Sequence, residues 1–264
     1  MKRPVVIAGA CVVYGAGMIA AFKFFSTQPL PEAVKGTTPD KEERRGVVNN
    51  IATTYDTEIA TDGTEWWTGI KKMRRKMIAE AEGKVLEVAG GTGKNFTHYT
   101  DKCSELLFVD SSEMMLQTAI WKFKVLNKEN NISLKANTRV AFKVMDAEAL
   151  KLPDNYFDTV IDTYGLCSFD DPVKALHEME RVCKADGKIL LLEHGRSEFH
   201  QWINKYILDK YESEHAWKYG CSWNRDIPQI VADAGLSVVS QKRAHLGTNI
   251  YIVAKPKQET IKEE

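Results

Sequence analysis

The stretch Glu87-Val88-Ala89-Gly90-Gly91-Thr92-Gly93 places one carboxylate ahead of a loop almost free of side chains. Such a loop lets backbone approach a ligand closely at the end of a strand. Two phosphate-binding patterns fail on it. A P-loop requires Gly-Lys-Ser/Thr, whereas Gly93-Lys94 is followed by Asn95, and a dinucleotide fingerprint requires a third glycine where Phe96 stands. Glu87 suits instead a ligand that carries positive charge and no phosphate. Further acids follow in order. Asp110 ends the run Leu106-Leu107-Phe108-Val109-Asp110, where a ribose diol would find a two-oxygen acceptor. Asp146, ahead of Ala147 and Glu148, is placed to receive an adenine amino group, and Asp162 ends the run from Phe157. A positively charged, phosphate-free ligand with a ribose and an adenine is S-adenosylmethionine.

Methyl transfer from a sulfonium is an in-line displacement on an activated carbon, so alignment and exclusion of water matter most. A base is needed when the acceptor is a carbon or oxygen acid. The candidates are His194, Asp162 and His215, with Tyr164 and Cys167 shaping the pocket. His194 is the best placed, just past a strand and beside Glu193. Nothing in the sequence identifies a base beside Cys167, which argues against that thiol as a nucleophile. Five scattered cysteines without CxxC spacing, and histidines without ligand spacing, predict no metal and no disulfide framework.

The elements that must position these residues alternate. Apolar, β-branched runs at Lys84–Val88, Leu106–Asp110, Val140–Val144, Phe157–Asp162, Lys188–Glu193, Leu236–Gln241 and Ile250–Ala254 are predicted strands, with helical patterns between them. The last two are too close for a crossover helix and should form an antiparallel hairpin. The fold class is therefore α/β, a doubly wound, Rossmann-like, seven-stranded and mostly parallel sheet. The glycine loop is expected to open a helix at Lys94. Helices are also predicted over Ser112–Lys124, capped by Ser111 or Ser112, and over Pro172–Val182.

Ahead of this domain, residues 4–22 carry no charge over nineteen positions, enough to cross a bilayer as a helix. Residues 1–25 are thus expected to be an uncleaved membrane anchor rather than a cleaved leader. Small residues four apart, Ala16 with Ala20 and Gly17 with Ala21, offer a partner helix a close approach. Residues 26–45 read as a linker, 46–255 as the catalytic domain and 256–264 as a polar tail. Lys plus Arg equal Asp plus Glu at 36 each, so no net field attracts nucleic acid, and none is expected as a partner.

The motifs VLEVAGGTG, LLFVD, DAEALKLPDNYFDTVI and HEMERVCKADGKILLLEHG resemble, in combination, those of the class I S-adenosylmethionine-dependent methyltransferases, over about Gly46 to Lys255. The similarity is to the ubiquinone and menaquinone C-methyltransferase group. Tyr55-Asp56, the Gly69-to-Arg75 stretch and Cys221-Ser222-Trp223-Asn224-Arg225-Asp226 are similar to membrane-anchored fungal mitochondrial proteins of the oxidase-assembly suppressor type. A more distant likeness is to animal methyltransferase-like thiol methyltransferases. The resemblance implies that S-adenosylmethionine is held by Glu87, Ala89, Gly90, Gly91, Gly93, Asp110, Ser111, Asp146, Ala147 and Asp162, with Tyr55 closing over it. It implies a single-pass protein of the mitochondrial inner membrane; the anchor alone would equally suit the endoplasmic reticulum. Ala89 departs from the family, which usually has glycine there, and puts a methyl group near the methionine part of the cofactor. Ala185-Asp186-Gly187 stands where Pro-Gly-Gly is usual.

The function expected is methyl transfer to a small-molecule or lipid-like acceptor. The aromatics between Phe199 and Trp223, with Trp66-Trp67, would wall an acceptor pocket or meet a membrane surface. The rival readings are an inactive assembly factor for a membrane complex, motivated by Ala89, and a protein methyltransferase.

Overall fold

The computed structural model describes residues 30–59, 65 and 68–257. The anchor at residues 1–25, Trp66-Trp67 and the tail beyond residue 257 lie outside the described residues. Among the described residues no helix is long and apolar enough to cross a membrane.

All seven predicted strands form. They are β1 (Gly83–Val88), β2 (Cys103–Asp110), β3 (Arg139–Val144), β4 (Phe157–Thr163), β5 (Cys183–His194), β6 (Ser237–Ala244) and β7 (Asn249–Lys255). They make one sheet of order β3-β2-β1-β4-β5-β7-β6. The first five run parallel, and β7 pairs antiparallel with both β5 and β6. The order reverses beside β1, so the loops after β1 and β4 splay apart and leave a crevice at the carboxyl edge.

Six helices of seven residues or more accompany the sheet in the described residues: α1 (Lys41–Ile51), α2 (Ile70–Ile78), α3 (Glu113–Lys128), α4 (Pro172–Val182), α5 (Glu212–Tyr219) and α6 (Ile227–Asp233). Side chains alternate between the two sheet faces, as a pleated strand requires. Leu86, Val88 and Leu191 pack with Leu176 and Met179 of α4 and Val231 of α6. Val85, Leu106, Phe108 and Leu190 pack on the other face with Met77 of α2 and Leu116 of α3. By the same alternation Glu87 points toward the α2 face and Asp162 toward the opposite one.

Two expectations need correction. Helix α1 begins inside the stretch read as linker. Asp40 accepts from the Glu43 amide while the Glu43 carboxylate accepts from the Asp40 amide, a reciprocal capping box. Its one buried side chain is Arg44, so the helix is held by polar contacts and carries little apolar period to detect. The glycine loop, moreover, does not open an α-helix at Lys94. It continues through turns into a single 3₁₀ turn at Phe96–His98, because buried Asn95 spends its side chain on contacts to three other segments.

Candidate functional site

In the loop after β1 every second residue is left-handed: Ala89 has φ 46°, Gly91 58° and Gly93 78°. This coil turns the chain across the end of β2, where the Gly91 amide donates to Asp110 Oδ2 at 2.8 Å and the Ser112 amide to Oδ1 at 2.7 Å. A side chain on Gly91 would meet nothing within 4 Å, so its surface is open to the crevice, whereas one on Gly90 would lie 2.2 Å from the Phe108 ring. Gly93 backs onto Phe96 in the same way and faces the interior. Burial pushes the Asp110 carboxyl up to about 6, against the two amides that favour its charge. Each oxygen keeps acceptor capacity for a ribose hydroxyl.

Glu87 is not at the crevice. It is fully buried beneath the loop, where Oε1 accepts from Asn95 Nδ2 at 2.7 Å and Oε2 from the Tyr99 hydroxyl at 2.5 Å. Burial raises its carboxyl to about 7, with Tyr99 and Asn95 opposing. Glu87 is instead linked to the crevice through Asn95. Asn95 Oδ1 accepts from Arg74 at 2.9 Å, and Arg74 also meets Glu65 at 3.3 Å. Arg74 and Glu65 line the crevice themselves. The Arg74 Nε is buried without a hydrogen-bond partner among the described residues, a donor suited to a ligand carboxylate. Sequence reasoning missed Arg74, whose only mark was its place between Gly69 and Arg75.

Asp146 and Ala147 flank the other end. Asp146 accepts from the Glu148 amide at 2.9 Å and pairs with Lys41 of α1 at 3.0 Å. Its carboxyl is lowered despite partial burial, by the Glu148 amide and then by Lys41. Arg44 of α1 reaches Asp170 at 2.7 Å, and Ser112 donates to Asn49 at 2.6 Å. These contacts hold α1 as a roof over the crevice. Ser111 is exposed at its rim. Tyr55 lines the crevice from the segment after α1, where its neighbour Asp56 accepts from Thr92 of the loop at 2.7 Å.

Opposite the loop, His194 ends β5 with Nε2 3.0 Å from Cys221 Sγ. Cys167, on the loop after β4, completes a cluster in which the three donor atoms lie within 4.8 Å of one another. The hydrogen bond from Cys221 draws the Cys167 thiol well below its usual range against burial, and the charge of His194 adds to this. His194 is itself raised by Cys167, against burial. The sequence offered no base beside Cys167; the fold supplies His194. It also assembles a three-donor group that an expectation of no metal did not foresee. His215 also lines the crevice and stacks on Trp223, with ring centroids 4.0 Å apart. Asp162 does not reach the crevice. It is fully buried on β4 beside Glu193 of β5, and none of their four oxygens has a hydrogen-bond partner among the described residues. Burial raises both carboxyls well above the usual range. Sealed away from the crevice, this pair is unsuited to act as a base on a ligand.

Together these walls enclose a cavity of about 360 Å³, within the range of about 300–1,000 Å³ for small-ligand sites. The residues present fit S-adenosylmethionine: an open left-handed glycine, a two-oxygen acceptor at Asp110 and a buried Arg74 Nε that lacks a partner among the described residues. The loop runs into a 3₁₀ turn rather than into the N-terminus of a long helix, the arrangement that favours phosphate.

The comparisons agree. A family model described as a methyltransferase domain matches residues 86–191. The ubiquinone/menaquinone biosynthesis C-methyltransferase UbiE of a Shewanella species is 30% identical over 227 residues, covering 83% of this chain and 78% of that protein. The chain belongs to the S-adenosylmethionine-dependent methyltransferase family, and S-adenosylmethionine is its cofactor. The mitochondrial methyltransferase OMS1 of Saccharomyces cerevisiae is 34% identical over 226 residues, covering 81% of this chain; the chain spans 46% of that protein's length. Among solved structures, magnesium protoporphyrin IX methyltransferase from Synechocystis with bound S-adenosylmethionine aligns with a TM-score of 0.58 at 14% identity, covering 84% of this chain and all of that one. At that identity the likeness shows the fold.

Proposed function

We propose that this methyltransferase sits at the mitochondrial inner membrane, held by residues 4–22, and methylates a small apolar or lipid-like acceptor. The observation that carries the acceptor class is the aromatic region between β5 and α5. Phe199, Trp202 and Tyr206 are 69%, 46% and 60% exposed, while His215 and Tyr219 line the cavity. Exposed aromatics on the segment ahead of α5, together with the aromatic side chains of α5 that line the cavity, suit an acceptor drawn from a bilayer interface. The mitochondrial address follows the likeness to the yeast protein, and the quinone-like acceptor class the likeness to UbiE.

S-adenosylmethionine supplies an activated methyl group when bound. Gly91 and Asp110 orient its ribose, Arg74 its carboxylate, and the α1 roof with Tyr55 excludes water. His194, on the acceptor wall, takes the proton when the acceptor is a carbon or oxygen acid and no ion occupies its Nε2. The experiment is methyl-label transfer by the full chain in liposomes of mitochondrial lipid. Label in an extractable, lipid-soluble product is expected. Label confined to polypeptide would overturn the acceptor class.

A further inference from the structure

We propose that Cys167, His194 and Cys221 form a binding site for one soft divalent metal ion of the zinc class, with its fourth position open to the cavity. Two thiol sulfurs and one imidazole nitrogen lie within 4.8 Å of one another. In a tetrahedral zinc site, with bonds of about 2.3 Å to sulfur and about 2.0 Å to nitrogen, neighbouring donors stand roughly 3.6–3.8 Å apart. His194 Nε2 and Cys221 Sγ are at 3.0 Å, so a separation of a few tenths of an ångström admits an ion between them. The donor set selects against magnesium and calcium, which take oxygen ligands, and favours zinc or its neighbours. Three protein donors with a cavity on the fourth side is the arrangement of an open zinc site rather than a closed structural one.

The site is built independently of its donors. Cys167 and Cys221 are far apart in sequence, yet the Ser222 amide donates to the Cys167 carbonyl at 2.9 Å. Arg225 then ties the same two loops through the carbonyls of Leu166 at 2.8 Å and Phe169 at 2.6 Å. The third donor arrives on β5, which is in register beside β4. The thiols therefore face each other because backbone and guanidinium bonds hold their loops together, and an ion would replace the contacts they make with His194 and with each other. The buried cysteines Cys103 and Cys183 donate to backbone carbonyls at 3.3 and 3.7 Å away from the cavity, whereas Cys167, whose thiol also reaches the Tyr164 carbonyl at 3.4 Å, lines it. All three donors of the cluster line the cavity. An acceptor presenting a thiolate or another soft donor would bind at the open position, which rests on reading this end of the cavity as the acceptor's.

The test is elemental analysis of the full chain in detergent, purified without chelator or immobilised metal. About one zinc per chain is expected, falling at least roughly tenfold in Cys167→Ser and in Cys221→Ser and retained in Cys103→Ser. Cobalt(II) added to the stripped chain should give thiolate charge-transfer absorption in the wild type and in His194→Cys, which keeps a donor, but not in Cys221→Ser. If the cysteine variants fail to fold, the cobalt spectrum of the wild type carries the test. Wild-type chain that retains no zinc and gives no such absorption would overturn the proposal. So would a Cys167–Cys221 disulfide in metal-free chain that excludes added cobalt. Metal content is read without any acceptor, so failure here leaves the methyltransferase assignment and its acceptor class untouched.

Discussion

The amide of Gly91 donates to the carboxylate of Asp110 at 2.8 Å, so one acid both fastens the glycine loop to the neighbouring strand and lines the crevice where the ribose is proposed to lie. Asp110→Ala removes both roles. Cofactor affinity is expected to fall by about 1–3 kcal/mol, measured by calorimetry with S-adenosylmethionine. Unchanged affinity would reduce Asp110 to a brace for Gly91 and Ser112.

Ala89 holds φ 46°, where an L side chain costs roughly 1–2 kcal/mol. Its methyl is accommodated because Gly165 opposite has none: a Cβ there would lie 2.8 Å from that of Ala89 and 2.1 Å from Asp162 Oδ1. Ala89→Gly should stabilise the fold by about 1 kcal/mol, a rise in Tm of about 2–4 °C. Gly165→Ala should destabilise it even in the Ala89→Gly background, since the clash with Asp162 remains. A fall in Tm for Ala89→Gly would refute the strain account.

Glu87 titrates at about 7 in the fold, above the ordinary 4.5, because of burial. A carboxyl raised on folding stabilises fully below its unfolded pKa and loses that contribution as pH rises through the folded value. The stability of the wild type relative to Glu87→Gln should therefore decline by roughly 2–4 kcal/mol between pH 4.5 and 7 and level off above. Denaturant melts of both proteins across that window measure it. A difference independent of pH would mean that Glu87 stays charged beneath the loop.

Arg74 joins Glu65 and Asn95 in the buried floor of the cavity. Arg74→Met leaves a buried acid without this partner and should cost about 3 kcal/mol of stability. Adding Glu65→Gln should recover part of that loss but not cofactor affinity. Recovery of both in the double variant would show that Arg74 only supports the loop.

Much of this protein follows from local chemistry. Apolar, β-branched runs define the seven strands, and the antiparallel hairpin follows from too short a connection between β6 and β7. The glycine loop with Asp110 behind it marks the cofactor side, and the alternation of side chains along β1 turns Glu87 inward, away from the crevice where its charge was expected. The Asp40 to Glu43 capping box goes unread inside the stretch expected to be linker, because α1 carries too little apolar period to announce itself.

What only the tertiary structure decided is which distant residues meet. Arg74 reaches the loop through Asn95, α1 is drawn over the crevice by Lys41 and Arg44, and Asp162 is sealed against Glu193. Cys167, His194 and Cys221 converge because β4 and β5 are neighbours and Ser222 and Arg225 bind the loop of Cys167. Periodicity and turn chemistry act over a few residues and can be read along the chain. Convergence at the sheet edge depends on strand order and on hydrogen bonds between loops, which no spacing in the sequence encodes.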